Sequence, residues 1–225
     1  MSKRRAGRIE LINYIVKESI RGFIATLLMG IGIATFVACE LGSDPITVFL
    51  DGLNRTTGLS IGLINLMLNI LIFVLALMLN RNKLGIATAI NVIMLGLCID
   101  VPAIFISELD LSSKNFVIRF IALLISQCIF AFSIGWMQTF QNGISSLDAV
   151  FYRIMKRTKI KYKTIRFIYD GTYLLVGFLL GGIVGIGTLI SLATTGILTI
   201  KSKLMIEFIK KGGIKIWMKR QFSQQ

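Results

Sequence analysis

Apolar residues in this chain come in long blocks, not in alternation. Charge-free runs occupy 22–39, 56–80, 84–99, 120–147 and 171–200. A bilayer core of about 30 Å is crossed by about 20 predominantly apolar residues as helix, and each run approaches or exceeds that length. The period-two rhythm of a membrane β-barrel is absent. The pattern predicts an all-α, polytopic membrane helix bundle. The last run is long for one span, and Gly181, Gly182 and Gly185 in its middle predict a hairpin. Spans are therefore expected at about 21–39, 59–79, 84–105, 117–139, 164–181 and 184–200. The first run follows basic residues as a signal peptide would. It is long and lacks a small-residue cleavage site, so it reads as a retained span.

Polar punctuation between the runs predicts further helices. Gly42-Ser43-Asp44-Pro45 is a helix start, with Ser or Asp as N-cap and Pro in the first turn, so a short helix is expected over 45–54. Ser145 with Asp148, after Gly143 and before a polar-faced stretch, fits a capping box at a second short helix. Ile9, Leu11, Ile12, Ile15 and Val16 fall at helical spacing among basic residues, as do Leu204, Met205, Phe208 and Ile209. Both segments are expected to lie on the membrane surface, with Trp217 at headgroup depth.

The punctuation repeats. Residues 85–96 and 185–196 share Gly85/Gly185, Ile86/Ile186, Thr88/Thr188, Ile90/Ile190 and Gly96/Gly196. Upstream, at an offset of 101, Gly42 aligns with Gly143, Arg55 with Lys156, Thr57 with Thr158, Asn65 with Arg166 and Asn69 with Asp170. Each unit is one span, a short capped helix and a two-span hairpin. Three spans per unit require the second unit to lie inverted, an arrangement that places substrate sites between the units in transporters. The expected organisation is a surface segment 1–20, a first three-span repeat 21–106, an outer loop 107–116, a second repeat 117–200 and a basic tail 201–225.

Composition adds orientation. The chain of 225 residues is 55% hydrophobic and carries a net charge of +14, with a mean hydropathy of +0.78. The charge is segregated, so it reads as topology and not as a nucleic-acid surface. With both termini cytoplasmic, 22 of the 25 basic residues face or approach the cytoplasm, as the positive-inside rule requires. The same basic loop and tails suit anionic membrane lipid.

Gly182-Ile183-Val184-Gly185-Ile186-Gly187-Thr188 followed by Gly196 resembles the glycine–threonine signature of the YczE/YyaS/YitT family of bacterial integral membrane proteins. Gly143 to Asp148, Arg166-x-x-x-Asp170, and Gly42-Ser43-Asp44-Pro45 followed by Leu59 to Gly62 are similar to it too. Where that family often carries Asp in the first unit, Thr47 stands here. The resemblance implies a multi-pass protein of the bacterial inner (plasma) membrane and implies no particular activity.

No histidine, metal-ligand cluster, Walker motif or nucleophile–base arrangement appears, so neither an enzyme nor a bound metal or cofactor is expected. Cys39, Cys98 and Cys128 read as packed thiols. Arg166 and Asp170 share one helical face within a span, where ionisable groups are functional candidates. With them the candidate substrate site comprises Asp148, Ser145, Ser146, Ser43, Asp44, Asn65 and Asn69, near helix N-termini suited to anions. Gly85, Thr88, Gly96, Gly185, Thr188 and Gly196 form the structural motif. Gly177, Gly181 and Gly185 are spaced for close helix approach, within the chain or in a homodimer. The expected function is a secondary transporter or permease for a small polar or ionic solute. The alternative is a regulator or scaffold acting through the basic segments.

Overall fold

The computed structural model of the protein describes residues 2–80, 84–139 and 145–210. The basic turn at 81–83, the Gly143 start of the second short helix, the tail with Trp217 and the side chain of Asp148 lie outside the described residues. The described residues form helices α1 (Ser2–Cys39), α2 (Pro45–Thr57), α3 (Ile61–Asn80) and α4 (Ile86–Ser107). After a 3-10 turn at Leu111–Ser113 come α5 (Phe116–Met137), α6 (Ser146–Thr158), α7 (Tyr162–Leu179) and α8 (Ile186–Lys210). No strand occurs among them.

Five segments are long and apolar enough to cross a membrane: Ile15–Cys39, Ile61–Leu79, Thr88–Ser107, Phe116–Met137 and Ile186–Ile209. Their outward side chains are large and apolar, among them Met67, Leu71 and Met78 on α3, Ile93 and Ile104 on α4, and Leu189 and Ile197 on α8. Contiguous apolar surface on this scale needs a lipid covering, and the chain is a multi-pass membrane protein. α7 is 18 residues long and carries Lys163, Arg166 and Asp170, which keeps it out of those five segments.

Two helices are longer than the sequence pattern suggests. The N-terminal segment and the first span form one unbroken α1, and the last span runs on into the tail as α8. Lys, Arg and Glu are good helix formers, and no proline interrupts either junction. The change from polar to apolar residues marks a change of surroundings, not a helix end.

α1 is the central element. It packs against α4 on one side and α5 on the other, while α3 lies on α4 and α8 on α5. The core between them contains Ile33, Phe36, Cys39, Leu95, Ile99, Leu123 and Phe130. Phe36 and Phe130 meet edge-to-face with ring centroids 5.9 Å apart. The two short helices cross over: α2 packs against α7, and α6 packs against α3. Each short helix therefore docks on a helix from the other half of the chain.

Local geometry recurs in the two halves. Gly85 N–H donates to Thr88 Oγ1 at 3.2 Å, and Gly185 N–H to Thr188 Oγ1 at 3.3 Å. This is half of a capping box, and it accounts for the shared Gly-x-x-Thr. α2 ends on Gly58 and α6 on Lys159, both left-handed, at φ 72° and 59°. Thr57 and Thr158 each return a hydroxyl to the carbonyl four residues back, Leu53 and Ile154. Two glycine expectations change. α7 ends at Leu179, Gly181 occupies the following turn at φ 87°, and Gly185 precedes α8. Gly177, Gly181 and Gly185 therefore do not line one helix. Gly177 instead abuts Phe49 of α2, and Gly185 abuts the Leu41 carbonyl.

Gly96 and Gly196 also part company. A Cβ on Gly96 would stand 2.5 Å from the Gly62 carbonyl oxygen, whereas one on Gly196 would meet nothing within 4 Å. Gly96→Ala should therefore destabilise the protein by about 1–3 kcal/mol through overpacking. Gly196→Ala should be neutral or stabilising, because alanine favours helix. Thermal melts of the two variants in detergent check the opposite signs.

Candidate functional site

The site is built from the start of α2 outward. α1 ends as Glu40 and Gly42 turn left-handed, at φ 47° and 89°. Ser43 and Asp44 follow, both buried. Asp44 is the N-cap of α2: its carboxylate accepts the Thr47 N–H at 3.3 Å and the Thr47 hydroxyl at 2.5 Å. Pro45 in the first turn needs no partner for a missing N–H. Thr47 therefore supports the carboxylate from within its own first turn.

α2 rests on α7, which brings Asp44 within electrostatic range of both Arg166 and Asp170. Arg166 Nε donates to Asp170 Oδ2 at 3.2 Å, with both side chains partly buried. Aromatic contacts surround the pair. Phe49 of α2 meets Tyr173 at 4.8 Å, Tyr173 meets Tyr169 at 4.4 Å, and Tyr169 meets Phe151 of α6 at 5.2 Å between ring centroids. The Arg166–Asp170 ion pair thus lies beside an aromatic wall, with the Asp44 carboxylate within electrostatic range of it.

The other half holds an uncharged counterpart. Asn69 Nδ2 donates to Asn65 Oδ1 at 2.6 Å and to the Asn65 carbonyl at 3.0 Å on α3. These residues align with Asp170 and Arg166. Among the described residues, both asparagines bond within α3, not across helices. Ser146 is buried at the start of α6. Ser145 occupies the N-cap position without a side-chain cap hydrogen bond, so the serine half of the expected capping box does not form. The candidate residues therefore divide. Ser43, Asp44, Arg166 and Asp170 gather where α2 meets α7, whereas Asn65, Asn69, Ser145 and Ser146 lie on the paired elements α3 and α6.

Two polar features escape sequence reasoning, whereas a third, Asn91, is a polar group within a span of the kind expected to hydrogen-bond across helices and does so. Asp51, buried on α2, accepts the Ile183 N–H at 2.9 Å and both oxygens accept from Arg55 Nε at 3.1 Å. A small cleft of about 190 Å³, its open mouth included, lies beside it between Phe36, Glu40, Ser43 and Ile183. Gln127 on α5 is buried and donates to Thr194 and Thr195 hydroxyls of α8, each at 2.9 Å. At the matching crossing of α1 and α4, Asn91 donates to the Thr26 hydroxyl at 3.3 Å. The cysteines are free, with Cys39 and Cys98 buried and Cys128 exposed. No group of three metal-ligating side chains occurs among the described residues.

Residues 16–201 match the Family of unknown function (DUF6198). The chain belongs to that family. An uncharacterised protein of Haemophilus influenzae is similar to this DUF6198 chain, 26% identical over 172 residues that cover 76% of this chain and 77% of the relative. Neither match bears the YczE, YyaS or YitT name. No solved structure matches the chain.

The asparagine pair suggests how to test the charged one. Removing one partner strands the other, at a cost of about 1–3 kcal/mol for a pair between exposed and buried. Arg166→Asn and Asp170→Asn should each lower the melting temperature. The double variant, which copies Asn65–Asn69, should recover most of the loss.

Proposed function

We propose that the chain is a secondary transporter or permease for a small polar or ionic solute in the bacterial plasma membrane. In this reading α7 is a sixth span, both termini are cytoplasmic, and the two halves are inverted three-span repeats. The observation that carries it is the crossed docking of the short helices. α2 lies on α7 and α6 on α3, which supports a site between the halves. The half-capping boxes at Gly85 and Gly185 and the left-handed ends at Gly58 and Lys159 support the repeat. Repeat interfaces near the bilayer midplane are where transporter substrates bind. Asp44, Arg166 and Asp170 would hold the solute there, with Ser43, Ser146, Asn65, Asn69 and Asp148 around it. The basic cytoplasmic segments would contact anionic lipid.

Sidedness tests the architecture. In a variant free of native cysteines, Asn54→Cys and Met155→Cys should react with an impermeant thiol reagent from opposite faces of sealed vesicles. Reaction from one face would end the inverted reading. A thermal-shift screen against metabolites and ions tests binding. A ligand raises the melting temperature by mass action, and the rise should shrink in Asp170→Asn. A broad screen without a hit, with a phenotype lost on deleting the tail but kept in Asp170→Asn, would favour the regulatory alternative.

A further inference from the structure

The cleft beside Asp51 lies where the two halves of the chain meet. Glu40, Ser43 and Asp51 of the first half line it, over Phe36, Val37 and, from the turn between α7 and α8, Ile183. Its enclosed part holds about one water-sized body. Three oxygen-bearing side chains therefore converge on a space the size of a bare ion. Asp51 is 5% exposed, and a carboxylate offers about four acceptor positions. Arg55 Nε lies 3.1 Å from both oxygens and the Ile183 N–H 2.9 Å from Oδ2, which leaves Oδ1 room for a further partner. Glu40 stands at the mouth with its backbone fixed. Its N–H donates to the Val37 carbonyl at 3.1 Å, and its carbonyl accepts from Arg119 at 3.2 Å.

Ser43 is 4% exposed, and its hydroxyl bonds no described residue. A hydroxyl withdrawn from water without a partner is costly, so a group within the cleft is expected to meet it. Charge decides the kind of group. Among the described residues, the carboxylates of Glu40, Asp44, Asp51 and Asp170 come to this junction against the guanidiniums of Arg55, Arg119 and Arg166. One negative charge is left over. Arg55 and Arg119 hold the Asp51 carboxylate and the Cys39 and Glu40 carbonyls from outside the cleft lining. A water would satisfy the hydroxyl and leave the surplus charge, whereas a singly charged cation answers both. Oxygen donors suit hard ions over soft transition metals. Magnesium keeps several of its waters, for which the cleft has no room, and the second charge of calcium exceeds the surplus.

We infer that the cleft binds one dehydrated sodium ion through Ser43 Oγ, Asp51 Oδ1 and the Glu40 carboxylate. The ion ties the end of α1 and the start of α2 to the turn before α8, because Asp51 also holds the Ile183 N–H. In the transport reading above it is the coupling ion, next to the residues that take the solute. The site itself rests on the cleft and stands without that reading.

The test compares thermal melts of the full-length chain in detergent, in sodium, potassium and choline chloride at one ionic strength. Sodium should raise the melting temperature saturably, by about 3 °C or more over choline at about ten times the half-saturating concentration. Ser43→Ala and Glu40→Gln should each remove about half of that rise or more. Glu108→Gln, which removes an exposed carboxylate after α4, should keep it. Radioactive sodium should saturate the unaltered chain at about one ion per chain and bind more weakly to Glu40→Gln, a readout that remains if Ser43→Ala fails to fold. No rise in sodium over choline, a rise that potassium matches, or a sodium rise that Ser43→Ala and Glu40→Gln both retain would overturn the site. Solute hits in the binding screen without a sodium effect would overturn this site and leave the transport reading, and a sodium effect without solute hits would do the reverse.

Discussion

A helix end leaves backbone groups without partners, and an apolar bundle offers little water to pair them. Most of the polar chemistry inside this protein answers that constraint. Arg119 donates to the Cys39 and Glu40 carbonyls at the end of α1, at 2.9 and 3.2 Å. Asp44 serves the start of α2, and Asp100 of α4 accepts the Gly62 N–H at 2.8 Å at the start of α3. Thr88 and Thr188 serve the starts of α4 and α8. Asp51 serves the turn before α8. Because several of these groups come from a different helix, satisfying the ends also fixes how the helices sit against one another. The short helix α2, with two ends for only 13 residues, has such a partner at its start in Asp44.

This division explains what could be read from the sequence. Features whose partners lie within one turn were legible. The N-cap at Asp44, the glycine–threonine starts and the turn at Gly181 all express i to i+3 or single-residue preferences. Asp51 was not legible as more than a loop charge, because its partner is a main-chain N–H 132 residues away. Any residue type can supply such a donor, so no pattern marks it. The role of Gly177 was obscured for the same reason. Spacing suggested a helix face shared with Gly181 and Gly185, whereas its neighbour is the α2 backbone. The lengths of α1 and α8 were misread because charge reports the membrane boundary, and a helix passes through that boundary without ending.

The local geometry that recurs in the two halves answers the same constraint, and the halves differ where packing differs. Turns and caps keep their residues or their geometry, as at Thr57 and Thr158. Lys159 even holds the left-handed position that Gly58 holds in the first half, although a side chain disfavours it. The halves differ in the short helices, where Gly52 aligns with Arg153 and Asp51 with Tyr152. They differ also in the polar crossing pairs, where Thr26 with Asn91 stands for Gln127 with Thr194 and Thr195.

Set against the residues that serve helix ends, Arg166 and Asp170 stand apart. They lie inside α7, where the backbone is already paired, and Asp170 is eight residues beyond the start at Tyr162. The Asn65–Asn69 pair shows that the same place in the fold is filled adequately by uncharged amides with a 2.6 Å hydrogen bond. Placing two charges in a partly buried position is costlier than placing two amides there. In the proposed transport reading, that cost serves the binding of a charged solute, with the Asp44 carboxylate within electrostatic range. The pair is therefore the part of this interior whose chemistry structure alone does not account for.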